Sequence, residues 1–100
     1  MPKLESSVER SSVAKALNDL GILSTKLITP GDTGWPDRVF WLPTSPVLIE
    51  FKLEGEVARK KQVYVHELLR RLNYEVHVCD NTCNAIEILS EALWRRLAKK

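Results

Sequence analysis

The chain has little of what usually announces a function. No apolar run reaches membrane-spanning length, which excludes a transmembrane helix. Met1-Pro2-Lys3-Leu4-Glu5 lacks the apolar stretch of a signal peptide, so the expected compartment is the cytoplasm. There are only two cysteines, Cys79 and Cys83, expected there as free thiols. With His77 they form H-x-C-x₃-C, but His77 and Cys79 alternate with Val76 and Val78 as on a strand, and a further ligand is missing, which argues against zinc. No glycine-rich loop cradles phosphates, no Ser-His-Asp order occurs, and no internal repeat or low-complexity stretch is found. A net charge of only +2 does not by itself point to nucleic acid. Local clusters matter more: Arg59-Lys60-Lys61, and Arg95-Arg96 with Lys99-Lys100, either contact phosphates or solvate helix faces. One hundred residues are expected to make a single domain, 1–100, with one modest core.

What is present is an alternation of helical and strand-like segments. Leu4 to Leu20 reads as a helix with an apolar stripe of Val13, Ala16, Leu17 and Leu20, capped by Gly21. Glu9 extends that stripe and Glu5 lies a turn further back; acids near a helix N-terminus are also favoured by the helix dipole. Ile22 to Ile28 reads as a strand, followed by Pro30 and a loop from Gly31 to Gly34. Trp35 precedes Pro36, which favours extended backbone and leaves both core packing and base stacking open to the indole.

Arg38 to Leu42 and Val47 to Lys52 read as strands joined through Pro43-Thr44-Ser45-Pro46 into a hairpin. Alternation puts Leu48, Glu50 and Lys52 on one face and Val47, Ile49 and Phe51 on the other. The hairpin returns Asp37 towards Glu50 and Lys52. Two carboxylates and a lysine converging there could hold a divalent cation and steady a water beside it; a solvent-facing Glu50–Lys52 ion pair is the alternative. Leu53 to Glu56 is a turn. Val57 to Leu72 reads as a helix with Val65, Leu68, Leu69 and Leu72 buried and Gln62 continuing the stripe. Tyr74 to Cys79 is the next strand, and a strand–helix–strand crossover makes a right-handed parallel unit. That unit carries Gln62 to the acids, with Lys60, Lys61 and His66 close by. Asp80-Asn81-Thr82 forms a turn and cap before a last helix, Cys83 to Lys99, apolar at Ile86, Leu89, Leu93 and Leu97.

Gly34-Trp35-Pro36-Asp37-Arg38 within the run from Gly31, then Ile49-Glu50-Phe51-Lys52, then Gln62 on a helix, resembles the virus-type replication-repair nuclease (VRR-NUC) family of the PD-(D/E)xK nuclease superfamily. The resemblance runs from about Val8 to Leu89, and G-x-P-D-R with a later glutamine is far more specific than a bare Asp…Glu-x-Lys. It implies an α/β fold: a restriction-endonuclease-like αβββαβ core with a mixed central sheet flanked by helices, plus one C-terminal helix. It implies Mg²⁺ or Mn²⁺ held by Asp37, Glu50, the Phe51 carbonyl and Glu9, with Glu5 as the substitute for Glu9. Lys52 would orient the attacking water and Gln62 would bond a water, the lysine or a phosphate. The basic residues expected to meet DNA are Arg38, Lys26, Lys60 and Lys61, with His66; Arg38 either grips a phosphate or pairs with an acid, and His66 either touches the scissile region or is partly exposed.

The implied activity is a structure-selective DNA endonuclease acting on branched DNA, Holliday-junction or flap-like, in replication, repair or recombination. A homodimer is expected, with the helix bearing Trp94 either docking a partner or covering its own sheet, and no membrane or small-molecule cofactor. The stand-alone phage and bacterial members are the most alike; for a phage-encoded protein the compartment is the bacterial host's cytoplasm. The competing reading is a catalytically silent DNA-binding or assembly module on the same scaffold.

Overall fold

The first helix, α1, spans Glu5–Leu20. It stops because Gly21 takes φ 68°, a left-handed conformation that costs glycine nothing, and its N–H closes on the Leu17 carbonyl at 3.1 Å. There follow β1 (Ser24–Lys26), β2 (Arg38–Phe40), β3 (Val47–Phe51), α2 (Lys60–Arg71), β4 (Glu75–Cys79) and α3 (Thr82–Ala98). This computed structural model describes residues 5–29, 34–53 and 55–98, so Leu4, Pro30, the loop residues Gly31 to Thr33, Glu54, Lys99 and Lys100 fall outside it, as does the Glu5 side chain. The order helix, three strands, helix, strand, helix is the expected one. The first two strands are shorter than expected, and α2 begins at Lys60 rather than Val57.

The strands form one mixed sheet in the order β1-β2-β3-β4. β1 and β2 run antiparallel, as do β2 and β3, with Arg38 opposite Ile49 and Phe40 opposite Val47. β3 and β4 are parallel, with Glu50 opposite Val78; a parallel pair needs a crossover, and α2 supplies it. β3 is an interior strand with helices on both faces, and all five of its residues are buried.

Alternation along β3 divides the core. Val47, Ile49 and Phe51 join Phe40 beneath α1 and α3, where Val8, Ala16, Ala85, Leu89 and Ala92 complete the larger cluster. Phe40 and Phe51 meet edge-to-face at 6.5 Å. Leu48 points the other way, towards Val39, Val76 and Leu69 of α2, in a smaller cluster. Glu50 and Lys52 share that second face.

The stripe expected for α2 needs correction. Val65 is buried and Leu69 partly so, but Leu68 and Leu72 are exposed and His66 is buried instead. The reason is coverage: α2 packs chiefly against β4 and leaves β1 and β2 open on that face. Leu17 and Leu97 are likewise exposed, and Trp94 is 72% exposed, so its ring does not cover the sheet. No helix among the described residues is long and apolar enough to cross a membrane.

Leu89 is fully buried and Leu72 mostly exposed. Leu89→Ala is therefore expected to cost about 2–5 kcal/mol in denaturant unfolding, and Leu72→Ala no more than about 0.5 kcal/mol. Equal losses would mean that the α2 stripe is buried after all.

Candidate active site

The antiparallel hairpin sets the start of β2 beside the end of β3. The N–H of Asp37 donates to the Ile49 carbonyl at 3.1 Å, and the N–H of Phe51 donates to Asp37 Oδ2 at 2.8 Å. The Asp37 carboxylate is thus fixed at the strand end, next to Glu50 and Lys52.

Glu50 is 4% exposed and Lys52 7%, with Nζ to Oε2 at 3.8 Å. This overturns the solvent-facing ion pair: both charges are out of water, where each costs free energy unless it finds partners. Gln62 provides one. Its Oε1 accepts the N–H of Arg59 at 2.8 Å, which orients the amide, and its Nε2 then donates to Glu50 Oε2 at 3.1 Å. Glu50 Oε1 lies 3.9 Å from His66 Nε2, and both atoms are buried with no hydrogen-bond partner among the described residues. His66 was expected to meet DNA or to be partly exposed; it is 1% exposed, because one turn beyond Gln62 the helix face points at Glu50 and not at solvent.

Glu9 reaches the same strand end from the opposite face of the sheet. Arg38 Nε donates to its Oε2 at 2.7 Å, and Lys26 Nζ lies 3.0 and 3.3 Å from its two oxygens. Lys26 is opposite Arg38 in the β1–β2 register, so both side chains rise on the α1 side. Of the two readings open to Arg38 the structure thus shows the acid, and Lys26, expected to meet DNA, is committed to the same acid. Lys60 and Lys61 are exposed and do not line the cleft; Arg59 and Ser6 do. Arg59 lies three positions before Gln62, a spacing that could have singled it out within the basic run. Ser6 carries no comparable signal.

These groups line an open cleft of about 570 Å³ in which Glu9, Asp37, Glu50, Lys52 and Gln62 all take part. The expected convergence of three acids at one point is only partial. Among the described residues no three His, Cys, Asp or Glu side chains lie close enough to hold a metal ion together. Each carboxylate is turned to its own partner: Glu9 to Arg38 and Lys26, Asp37 to the Phe51 amide, Glu50 to Gln62.

The electrostatic cost falls on Asp37. Burial pushes its carboxyl up to about 6; the Phe51 N–H opposes the rise, and the neighbouring Glu50 and Glu9 add to it. The loop before it is held close to α2. A Cβ on Gly34, which has φ 92°, would come within 2.7 Å of the Lys61 carbonyl oxygen, so no side chain fits there without displacing the first turn of the helix.

A scan against family models finds no match. A phage protein, "Putative nuclease p44" of Acyrthosiphon pisum secondary endosymbiont phage 1, is 32% identical over 78 residues, covering 77% of this chain and 83% of the phage protein. A solved structure described as "VRR_NUC domain" superposes with a TM-score of 0.73 at 25% identity, over 86% of this chain and 94% of that one. The chain belongs to the VRR-NUC family. The VRR-NUC fold accounts for the mixed four-stranded sheet with helices on both faces.

Two outcomes follow for the metal-free VRR-NUC chain. Because the folded carboxyl of Asp37 titrates near 6 against 3.8 unperturbed, the stability tied to its protonation is complete below about pH 3.8 and is lost as pH rises through 6. Asp37→Asn keeps an oxygen for the Phe51 amide and removes the charge. It should raise the unfolding temperature at pH 7–8, with the gain vanishing towards pH 4; a pH-independent gain would contradict the strained ionisation. Gly34→Ala should destabilise by roughly 1–3 kcal/mol in chemical unfolding, since it adds both a clash and a disfavoured φ.

Proposed function

We propose that this VRR-NUC domain is a metal-dependent nuclease that hydrolyses DNA phosphodiesters, with Mg²⁺ or Mn²⁺ seated between Asp37 and Glu50. The observation that carries the reading is a buried carboxylate oxygen without a partner, Glu50 Oε1, in the same cleft as an aspartate whose ionisation is disfavoured. A divalent cation would answer both. Mg²⁺ accepts one or two carboxylates and keeps several waters, so a third acid in contact is not required. Phe51 directs its N–H at Asp37, and in a strand the carbonyl of the same residue faces the same side, which supports it as a further oxygen donor. The likeness to the phage protein described as a nuclease and to the VRR_NUC structure supports the same reading.

When bound, the cation supplies Lewis acidity: a lowered pKa for bound water and relief of charge on a phosphate oxygen. The remaining steps belong to the chain. Lys52, buried beside Glu50, places an ammonium where it orients the attacking water and offsets phosphate charge. Gln62 fixes the Glu50 carboxylate through an amide that is itself locked by the Arg59 N–H. Arg59, exposed at the cleft rim, is the basic residue best placed for an incoming phosphate. Glu9, neutralised by Arg38 and Lys26, sets the far wall and would join the metal on giving up one of those bonds. Preference for branched DNA, a role in replication, repair or recombination, and a homodimer with paired clefts extend the proposal by family resemblance.

The competing reading, a silent DNA-binding or assembly module, has one observation in its favour: the acids are not gathered into a three-ligand cluster among the described residues. Incubation with labelled flap, junction and linear DNAs in Mg²⁺ or Mn²⁺ separates the two. Cleavage is expected, with Asp37→Ala and Glu50→Gln each slowing it by about 10²-fold or more, since each would remove several kcal/mol of transition-state stabilisation. Calorimetric titration with Mn²⁺ should show binding that disappears in Glu50→Gln. Failure to cut any of these DNAs, or equal rates in the variants, would sink the enzyme reading and leave the module.

A further inference from the structure

The end of the sheet opposite the cleft carries two adjoining concavities. One is an apolar groove of about 300 Å³ on the α2 face, walled by Trp41, Leu48, Leu69 and Tyr74. The other is a polar pocket of about 350 Å³ lined by Thr44, Ser45, Asn73, Glu75, Arg95 and Arg96, and Tyr74 belongs to both. The groove reaches along β3 to Leu48 and the cleft starts at Glu50 on the same face, so their nearest walls are about 7 Å apart while Pro46 and Phe51 at their borders are about 17 Å apart.

The groove presents aromatic surface rather than merely failing to bury it. Trp41 is 53% exposed and Tyr74 40%. The indole N–H of Trp41 donates to Thr25 Oγ1 at 2.9 Å, so the ring is held by one edge while its surface stays open. In the pocket, Arg95 and Arg96 both reach Glu75, at 3.2 and 3.1 Å. Two guanidinium groups against one carboxylate leave the pocket cationic by one charge. Arg96 Nη1 is buried with no partner, and Arg95 is more than half exposed. Thr44 takes φ 70°, unusual for a β-branched residue, at the mouth of the same pocket.

We infer that these adjoining surfaces form a second nucleic-acid site that takes a single-stranded segment, one base against Trp41 and Tyr74 and the adjacent phosphate at Arg95, Ser45 and Thr44. A flat ring surface beside a donor-rich cationic pocket is what an unpaired nucleotide needs: stacking for the base and hydrogen-bond donors for the phosphate. A protein partner would use the apolar groove but has no need of the arginine and hydroxyl pocket next to it. The inference draws only the class of ligand from the proposed function. It requires neither a metal nor cleavage.

Fluorescence anisotropy with a labelled ten-nucleotide oligothymidylate in EDTA tests it on the full chain. Trp41→Ala is expected to weaken binding by about 5- to 100-fold, the range for loss of one stacked base. Arg95→Ala should weaken it too and flatten its salt dependence. An abasic oligonucleotide of the same length should bind less well than the thymidylate. EDTA removes any cation that the cleft would use, so cleavage and this site fail separately: a chain that cuts nothing but shows these losses supports the second site. Binding unchanged by both Trp41→Ala and Arg95→Ala, or equal binding of the abasic backbone, overturns it. So does self-association abolished by Trp41→Ala, which would assign the groove to a second copy. Arg95 is remote from the core, so Arg95→Ala decides the matter even if Trp41→Ala does not fold.

Discussion

Glu50 places a carboxylate in the interior strand of the sheet with 4% of its surface exposed, and an ion so placed must be met by its neighbours. Gln62 and His66, one turn apart on α2, both face it. The leading part of the helix face turned to the sheet is therefore polar, and the apolar share falls to Val65 and Leu69. Leu68, one residue from Leu69, is rotated towards solvent, and Leu72 lies just past the last helical residue. The polar leading part of that helix face and the polarity of the cleft have a single origin, and limited coverage of the sheet by α2 accounts for the exposed leucines.

The two faces of the sheet deliver acids to one strand end by separate routes. Glu50 and Lys52 come from the α2 face, Glu9 comes from α1, and Asp37 sits at the rim, tied to the Phe51 amide. Three carboxylates lining one cleft would repel one another. The chain limits that by giving Glu9 two cations of its own. Asp37 has no such pair among the described residues, and its carboxyl is pushed up chiefly by burial, with Glu50 and Glu9 adding to the rise. Local neutralisation on one side and strain on the other leave a site that favours an added positive charge near Asp37 and Glu50.

What could be read from the chain was what depends on local spacing. Alternation in Val47–Phe51 gave the two cores correctly, and Gly21 marked the end of α1. The crossover topology carried Gln62 to Glu50. What could not be read depends on contacts between distant residues. Arg38 was open to a phosphate or an acid, and Lys26 looked like a phosphate ligand, because nothing local shows that the chain bends them onto Glu9, 29 and 17 positions away. His66 looked like a surface residue for the same reason. The stripe of α2 was misjudged because periodicity tells which residues share a face, not how far the sheet beneath extends. Ser12 and Val8 complete the buried face of α1; Ser12 is admitted because its hydroxyl bonds the Val8 carbonyl at 2.8 Å, which side-chain polarity alone does not reveal.

The net charge of the chain was uninformative because charges of both signs gather at each end of β3. Where the strand ends, Glu9, Asp37 and Glu50 stand with Lys26, Arg38, Lys52 and Arg59; arginines gather where it begins, at the C-terminal turns of α2 and α3, which hold Arg70, Arg71, Arg95 and Arg96. Helix dipoles favour that arrangement, since cations are stabilised at helix C-termini. Yet Arg95 and Arg96 turn to Glu75, and Arg70 bonds the Val76 carbonyl in β4 at 2.8 Å. Their role is thus not exhausted by capping. A chain nearly neutral in sum can still present positive charge locally, at Arg59 on the cleft rim and at the Arg95–Arg96 pair at the other end. That is the electrostatic condition for one nucleic-acid ligand to touch both ends of the same strand.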